Sequence, residues 1–378
     1  MAATVSDIVR CMESIAPAHL AEEWDRIGLQ VGQRDWPVEK VWMALDPTLD
    51  ALQTAAAQGV DMLVTHHPAI FRPLSRLDPS SPTGAIVSYA LEHRIALFVA
   101  HTNLDAASGG VNDILCERIG VAPLRPMQET SKQTFYKFVV YAPREKEREI
   151  LEAIISSSAG TIGNYSDCTF RVKGMGTFRP RDAARPYSGV ADQFTQVEET
   201  RIEALVPFTE LPALIEQVRK VHPYEEMAFD VFPLAAMDRD VGLGRIGTLS
   251  NPITLEKFSK SIARALNLPS VRVAGPPELM VQEVAVCSGS GSSLISAFLA
   301  SGAQAYVSGD LKYHDARTAE AAGVGLVDIG HFASEHVIVE ALTERMTRLL
   351  GETHPGIVLE AYRDEVEPFR QIVVRRKK

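Results

Sequence analysis

The chain has 378 residues, 46% of them apolar, and a formal net charge of −10. That length fits two or three domains at about 150 residues each, and the acidic balance counts against duplex nucleic acid as a partner, since its binders carry a basic face. No run reaches the ~18–20 apolar residues of a membrane span, and MAATVSDIVRCMESIAP lacks the charged start and apolar stretch of a secretion signal, so no membrane partner and a cytoplasmic location are expected.

In chain order, VSDIVRCMESIAP reads as an amphipathic helix stopped by Pro17. VEKVWMALD is a strand ending on Asp46, and PTLDALQTAAAQG a helix closed by Gly59. DMLVTHH and IALFVAH are strands, TGAIVSYALEH is the helix between them, and VNDILCERIG is a helix closed by Gly120. Strand and helix alternate, and the strands are short continuous apolar runs. That pattern predicts an α/β fold with a mostly parallel sheet covered on both faces.

The rhythm changes near Pro126. FYKFVVYAP, REKEREILEAIISS, DCTFRVKGMGTF, VEETRIEALVP, LPALIEQVRKVH and EMAFDVFPL follow the order β-α-β-β-α-β, the split βαβ or ferredoxin-like pattern. RPRDAARPYSGV, between the two middle strands, reads as a long exposed loop. Residues 128–236 are therefore expected to form an inserted domain. The first rhythm then returns through TLEKFSKSIARALN, VQEVAVC, LISAFLASG, AQAYVSG, HDARTAEAAG, GLVDIGH and EHVIVEALTERMTRLL. Residues 1–127 and 237–378 would be two halves of one split domain. The last helix carries Val337, Ile338, Ala341, Leu342, Met346 and Leu349, either a surplus apolar face for assembly or the inner face of a helix packed on its own sheet.

Three sets of residues carry the chemistry. THHP supplies His66 and His67, AHTNLD supplies His101 and Asp105, and GHFASEH supplies His331 and Glu335. Each set follows an apolar strand, and open α/β sheets bind ligands beyond the carboxyl ends of their strands. His331 and Glu335 are four apart, which places both on one face of a helix. Four imidazoles and two carboxylates complement two divalent ions, so two metal ions per chain are expected, and a carboxylate bridging two cations offsets their repulsion. Such ligands accept Zn, Fe, Mn, Ni and Co alike.

His314 and Asp310, in SGDLKYHDA, follow a strand of the same domain and are candidates for catalytic proton transfer or for supporting a ligand; an ordinary helix N-terminal role fits His314 as well. His222 reads as a turn residue, and His19, His93, His336 and His354 as solvated or capping residues. SGSGSS, Ser288 to Ser293, joins a strand to a helix and is either an anion-contacting loop or a plain tight turn. Cys11, Cys116, Cys168 and Cys287 form no CxxC and are expected to be free thiols.

PAHLAEEWDRIGLQVG, THHPAIF, AHTNLDAASGGVND, SGDLKYHDA and GHFASEH together resemble the Nif-three-like dinuclear-metal family, whose members are labelled GTP cyclohydrolase I type 2 homologues. The resemblance spans nearly the whole chain, and HPYEE within the insert resembles the long bacterial form with a PII- or CutA-like middle domain. It implies two metal ions on residues matching His66, His67, His101, Asp105, His331 and Glu335. It also implies a homohexameric ring, a trimer of dimers. Two departures are Arg26, where the family often has Asn, and Ser308, where it often has Thr.

The leading expectation is a metal-dependent hydrolase of a small nucleotide-like or heterocyclic substrate, GTP cyclohydrolase-like or phosphoesterase. The alternative is a metal-binding, metal-delivery or small-molecule-sensing regulatory protein without catalysis. The family label alone does not fix a substrate.

Overall fold

A computed structural model describes residues 3–370 and 372, with 158, 163, 164 and 352 excepted; for 130–134 and 235–240 it describes the backbone alone. The chain divides into two compact units, Met1–Ser131 with Val241–Lys378, and Lys132–Asp240.

In the split unit the parallel strands lie in two sheets rather than one. The first has the order Val358–Ala361, Lys40–Ala44, Met62–Thr65, Ala96–Val99, Gly28–Val31, all neighbours parallel except the last pair. Lys40–Ala44, Met62–Thr65 and Ala96–Val99 are almost wholly buried because both sheet faces are covered. Side chains alternate between the faces. Val41, Met43, Met62, Val64, Ala96 and Phe98 meet the helices Val5–Ile15 and Val337–Gly351. Trp42, Ala44, Leu63 and Leu97 meet Leu49–Ala57 and Pro82–Glu92. The larger of these, such as Val41, Met43, Leu63 and Phe98, each contribute about 1.5–3 kcal/mol of burial free energy.

The last long helix therefore uses Ile338, Leu342 and Met346 on its own sheet, with Leu349 left outside.

The second sheet of this unit runs Arg272–Ala274, Gly325–Asp328, Ala305–Gly309, Met280–Ser290 and then the end of Phe229–Thr254. Its three central strands are parallel and its flanks antiparallel. Val284, Val286, Val307 and Val327 pack on Leu255–Ala265 and Val111–Arg118, while Ala285, Tyr306 and Leu326 pack on the other side around Phe298.

The unit Lys132–Asp240 follows the β-α-β-β-α-β order. Thr195–Pro207 lies between Ala122–Pro143 and Thr169–Phe178, antiparallel to both. Helices Glu147–Ile155 and Leu211–Val221 cover one face through Ile150, Ile154, Leu214 and Val218. The expected boundaries, 127/128 and 236/237, fall inside two continuous strands, Ala122–Pro143 and Phe229–Thr254, which give no local break there. RPRDAARPYSGV lies in the connection between Thr169–Phe178 and Thr195–Pro207.

The four cysteines are free, with burial pushing the Cys11 thiol up to about 11 and those of Cys116 and Cys287 up to about 12. Among the described residues no helix is long and apolar enough to cross a membrane.

Candidate metal centre

The carboxyl ends of strands from both sheets of the split unit deliver the candidate ligands. His66 and His67 follow Met62–Thr65, and His101 follows Ala96–Val99 at the start of the short helix Thr102–Ala106 that carries Asp105. His331 and Glu335 form the first and last residues of the helix His331–Glu335, entered through Gly330 at φ +81°. Ring centroids lie 5.2 Å apart for His66 and His67, 5.1 Å for His66 and His101, and 5.3 Å for His67 and His331. Two sets have ligand atoms all within 4.8 Å of one another: His66, His67 and His101, and His67, His331 and Glu335. His67 belongs to both. Asp105 approaches His66, its Oδ1 3.8 Å from Nε2.

Every imidazole in the cluster is oriented from behind. Nδ1 of His66 donates to the Ala100 carbonyl at 2.9 Å, that of His67 to Asp46 at 2.8 Å, that of His101 to Asp25 at 2.9 Å and that of His331 to Asp310 at 2.8 Å. Each partner is an acceptor, so each Nδ1 carries the proton and each neutral ring turns its Nε2 lone pair inward. Metal-binding histidines are held in this way. Asp310 is thus an anchor for His331. His314 is exposed at the start of Tyr313–Ala322, and its contacts run to Tyr313 and Thr318 rather than to the six candidate ligands.

Two inward atoms lack ordinary partners, while Nε2 of His67 and Nε2 of His331 approach each other at 3.4 Å. Nε2 of His66 and Oε2 of Glu335 are buried without a hydrogen bond. Nε2 of His66 is 3.6 Å from Glu335 Oε1, beyond hydrogen-bond range. Oε2 of Glu335 is 3.0 Å from Nε2 of both His67 and His331, but neither contact is aligned as a hydrogen bond. Buried polar atoms are nearly always satisfied, and a cation is the partner that convergent lone pairs on imidazole and carboxylate lack. The residues present fit a metal centre.

The electrostatics agree. Burial disfavours a charged His67, but its contacts with Asp46 and Glu335 outweigh that and push it up to about 10. His331 is pushed up to about 9 by Glu335, against burial and with help from Asp310. Burial opposes charge on Glu335, yet the surrounding histidines hold it well below the usual carboxylate range. Asp105 is raised, by burial first and by the nearby Glu335 charge, against the pull of His66 and His101. The cluster is a negative site that draws positive charge onto its imidazoles.

The Gly/Ser loop turns out to be the wall behind the carboxylates. Ser288 Oγ donates to Asp105 Oδ1 at 2.9 Å, and the Gly289 amide donates to Ser334 Oγ at 2.8 Å. Gly289 sits at φ +61°, and a Cβ there would lie 2.2 Å from Glu335 Oε1. Only glycine lets Glu335 reach its place. Beneath this layer the buried Arg245 donates to Asp113 at 2.6 Å and to the Ala107 carbonyl at 2.8 Å, fixing the turn that follows Asp105.

Sequence reasoning missed three supports. Asp25 accepts from His101 Nδ1 and from the Thr102 amide and hydroxyl. Asp46 ends an apolar strand as the histidines do, a signal available in VWMALD. Glu365 left no local signal: its carboxylate accepts from the Leu45 and Asp46 amides at 2.8–2.9 Å and so fixes the carboxylate that holds His67.

The Duf34/NIF3 (NGG1p interacting factor 3) family model matches residues 3–363. The chain belongs to this family. A Bacillus subtilis relative named GTP cyclohydrolase 1 type 2 homolog is 36% identical over 362 residues, 96% of this chain and 97% of the relative. A solved Bacillus cereus protein related to NIF3 superposes with a TM-score of 0.82 at 34% identity, covering 98% of this chain and 100% of that one. A Staphylococcus aureus structure gives 0.72 at 28% identity over 98% of this chain and 99% of its own. In this NIF3 chain the Arg26 departure leaves Asp25 in place, because the Arg26 backbone amide donates to Asp25 Oδ1 at 2.7 Å whatever its side chain.

Proposed function

We propose that this NIF3-family protein binds two divalent metal ions and hydrolyses a small nucleotide-like or heterocyclic substrate at them. The observation that carries the reading is the sharing of His67 by two ligand triads, with Glu335 3.0 Å from both His67 and His331. Bound divalent ions supply Lewis acidity and lower the pKa of water towards neutrality. The four histidines offer Nε2, each ring oriented through Nδ1. Asp105 and Glu335 supply the negative charge that offsets repulsion between two cations. Asp310, half exposed, holds the proton on His331 Nδ1 at the solvent side and can exchange it with a substrate group. The histidine and carboxylate set suits Zn, Fe, Mn, Ni or Co.

The test is metal analysis of the purified protein together with a turnover screen over GTP, other nucleotides and phosphoesters. Two ions per chain with turnover that disappears on chelation support the reading. Full metal loading without turnover of any of these substrates favours a metal-binding protein without catalysis. The homohexameric ring belongs to the same proposal through the family resemblance, and light scattering at micromolar protein tests it: a monomer removes the ring and leaves the metal centre standing, since all six ligands come from one chain.

A further inference from the structure

The unit Lys132–Asp240 contains a cavity of about 570 Å³ that the metal chemistry does not use. Its size falls in the range of small-molecule sites, roughly 300–1,000 Å³. It lies over strands Thr169–Phe178 and Thr195–Pro207, with the loop after Phe178 and the HPYEE turn at its rim. We propose that this cavity binds a planar nitrogen heterocycle of nucleoside size, uncharged or cationic, that presents both a hydrogen-bond donor and an acceptor.

Four features carry this. The first is the floor. Val172, Gly174, Gly176 and Phe178 point to one face of their strand, and two glycines in a strand interior weaken it unless something must approach the backbone closely. A Cβ on Gly174 would meet nothing within 4 Å, so the floor there is bare backbone beneath open space. A Cβ on Gly176 would lie 2.1 Å from Glu199 Oε2, so that glycine lets the carboxylate fold down over the strand. The second is the walls. Phe178 and Tyr224 are 6.5 Å apart between ring centroids and Tyr187 and Tyr224 are 6.0 Å apart, offering aromatic faces to a flat guest. Tyr187 is half exposed, as a wall facing an opening would be.

The third is the polar edge. Arg201 lines the cavity and pairs with Glu203 through Nη2, but its Nε is buried without a hydrogen-bond partner, a donor awaiting a ring nitrogen or carbonyl. Glu199 already accepts from the Tyr224 hydroxyl at 2.8 Å and holds it as a donor, burial and the carboxylate raising that phenol well above its usual range. Its carboxylate has further acceptor capacity for a ligand N–H. The fourth is charge. Glu199, Glu225 and Glu226 outnumber Lys173 and Arg201 around the cavity, which disfavours a phosphate group and separates a nucleoside from a nucleotide.

The experiment is calorimetric titration of metal-loaded full-length protein with guanosine, adenosine and GTP, repeated on Gly174→Val, Tyr187→Ala and Glu335→Ala. At least one nucleoside should bind once per chain, and in Glu335→Ala, where the metal centre no longer offers GTP a second site, GTP should bind about tenfold more weakly or worse. Gly174→Val fills the floor and should weaken nucleoside binding about 10- to 100-fold, with circular dichroism and metal content unchanged. Tyr187→Ala, an exposed loop change that leaves the strand intact, should weaken it as well and serves if Gly174→Val does not fold. Glu335→Ala should leave it unchanged. The proposal is overturned if neither nucleoside binds at millimolar concentration, if GTP binds Glu335→Ala, which lacks the metal centre, more tightly than the nucleosides do, or if both insert variants bind like the parent. Binding that survives Gly174→Val and disappears in Glu335→Ala assigns the nucleoside to the metal centre and also overturns it. These outcomes are separate from the metal stoichiometry and turnover that test the proposed hydrolase.

Discussion

The metal centre and the insert cavity solve opposite problems. In the metal centre the polar atoms face inward in excess: four Nε2 atoms and two carboxylates converge, and a second layer of Asp25, Asp46 and Asp310 orients the rings. In the insert cavity most polar groups are already matched, Tyr224 with Glu199 and Glu225 with the Arg185 amide, and aromatic rings supply the surface. A charged ligand is selected by convergent lone pairs in a shielded place. A flat organic ligand is selected by shape, with one or two donors and acceptors to orient it. Two sites on one chain can therefore be perturbed independently, and the comparison is open to direct attack.

The largest effect should come from Glu335→Ala. Glu335 contacts three of the four histidines, so metal should leave both triads rather than one, as read by metal analysis after gel filtration. Retention of one ion at full occupancy would show that the two triads do not share it. Next is Asp113→Ala, which strands the buried Arg245 guanidinium. Removing one partner of a buried pair costs about 3–5 kcal/mol, and urea denaturation should show a loss of that order.

Glu365→Ala should preserve the fold but weaken metal binding about 10- to 100-fold, as loss of outer supports does, while leaving nucleoside binding alone. An unchanged metal affinity would mean that Asp46 holds His67 without help from the C-terminal segment. The smallest effect is that of pH on the metal-free protein. His67 is raised from 6.5 to about 10, so its contribution to stability is complete below about pH 6.5 and is lost as pH rises through about 10. His331, raised to about 9, acts in the same direction. Thermal unfolding of the chelated protein should fall over that window. Metal competes with the same protons, so the loaded protein should instead lose its ions as pH falls. A chelated protein equally stable at pH 6.5 and 10 would remove the picture of a negative cluster drawing protons.

Much of the metal centre was readable in one dimension. His66, His67 and His331 each terminate an apolar run, and a polar imidazole at a strand end is rare enough to be noticed. The i, i+4 spacing of His331 and Glu335 came from helix geometry alone. The anchors were harder. Asp46 showed the strand-end signal, but pairing it with His67 requires knowing that Lys40–Ala44 and Met62–Thr65 are neighbours. The Gly/Ser loop was visible and its two readings were not separable, because a turn and an anion loop share the same residues; its packing on Asp105 and Glu335 depends on contacts about 45 to 180 positions away.

The sequence by itself determined the alternation of apolar strands and amphipathic helices, the β-α-β-β-α-β run of the insert and the chemical nature of the six candidate ligands, because periodicity and residue type are local properties. Three of the missed strands, Gly28–Val31, Arg272–Ala274 and Val358–Ala361, are short and only partly apolar, and they exist because a sheet edge offers them partners. Only the tertiary structure decided that the parallel strands divide into two sheets, that Glu365 returns from the C-terminal segment to fix Asp46, and that Gly174 leaves a bare floor beneath aromatic walls while Gly176 makes room for Glu199. Each of these depends on which surfaces meet across long sequence separations, and that is set by the sum of many weak contacts rather than by any short pattern in the chain.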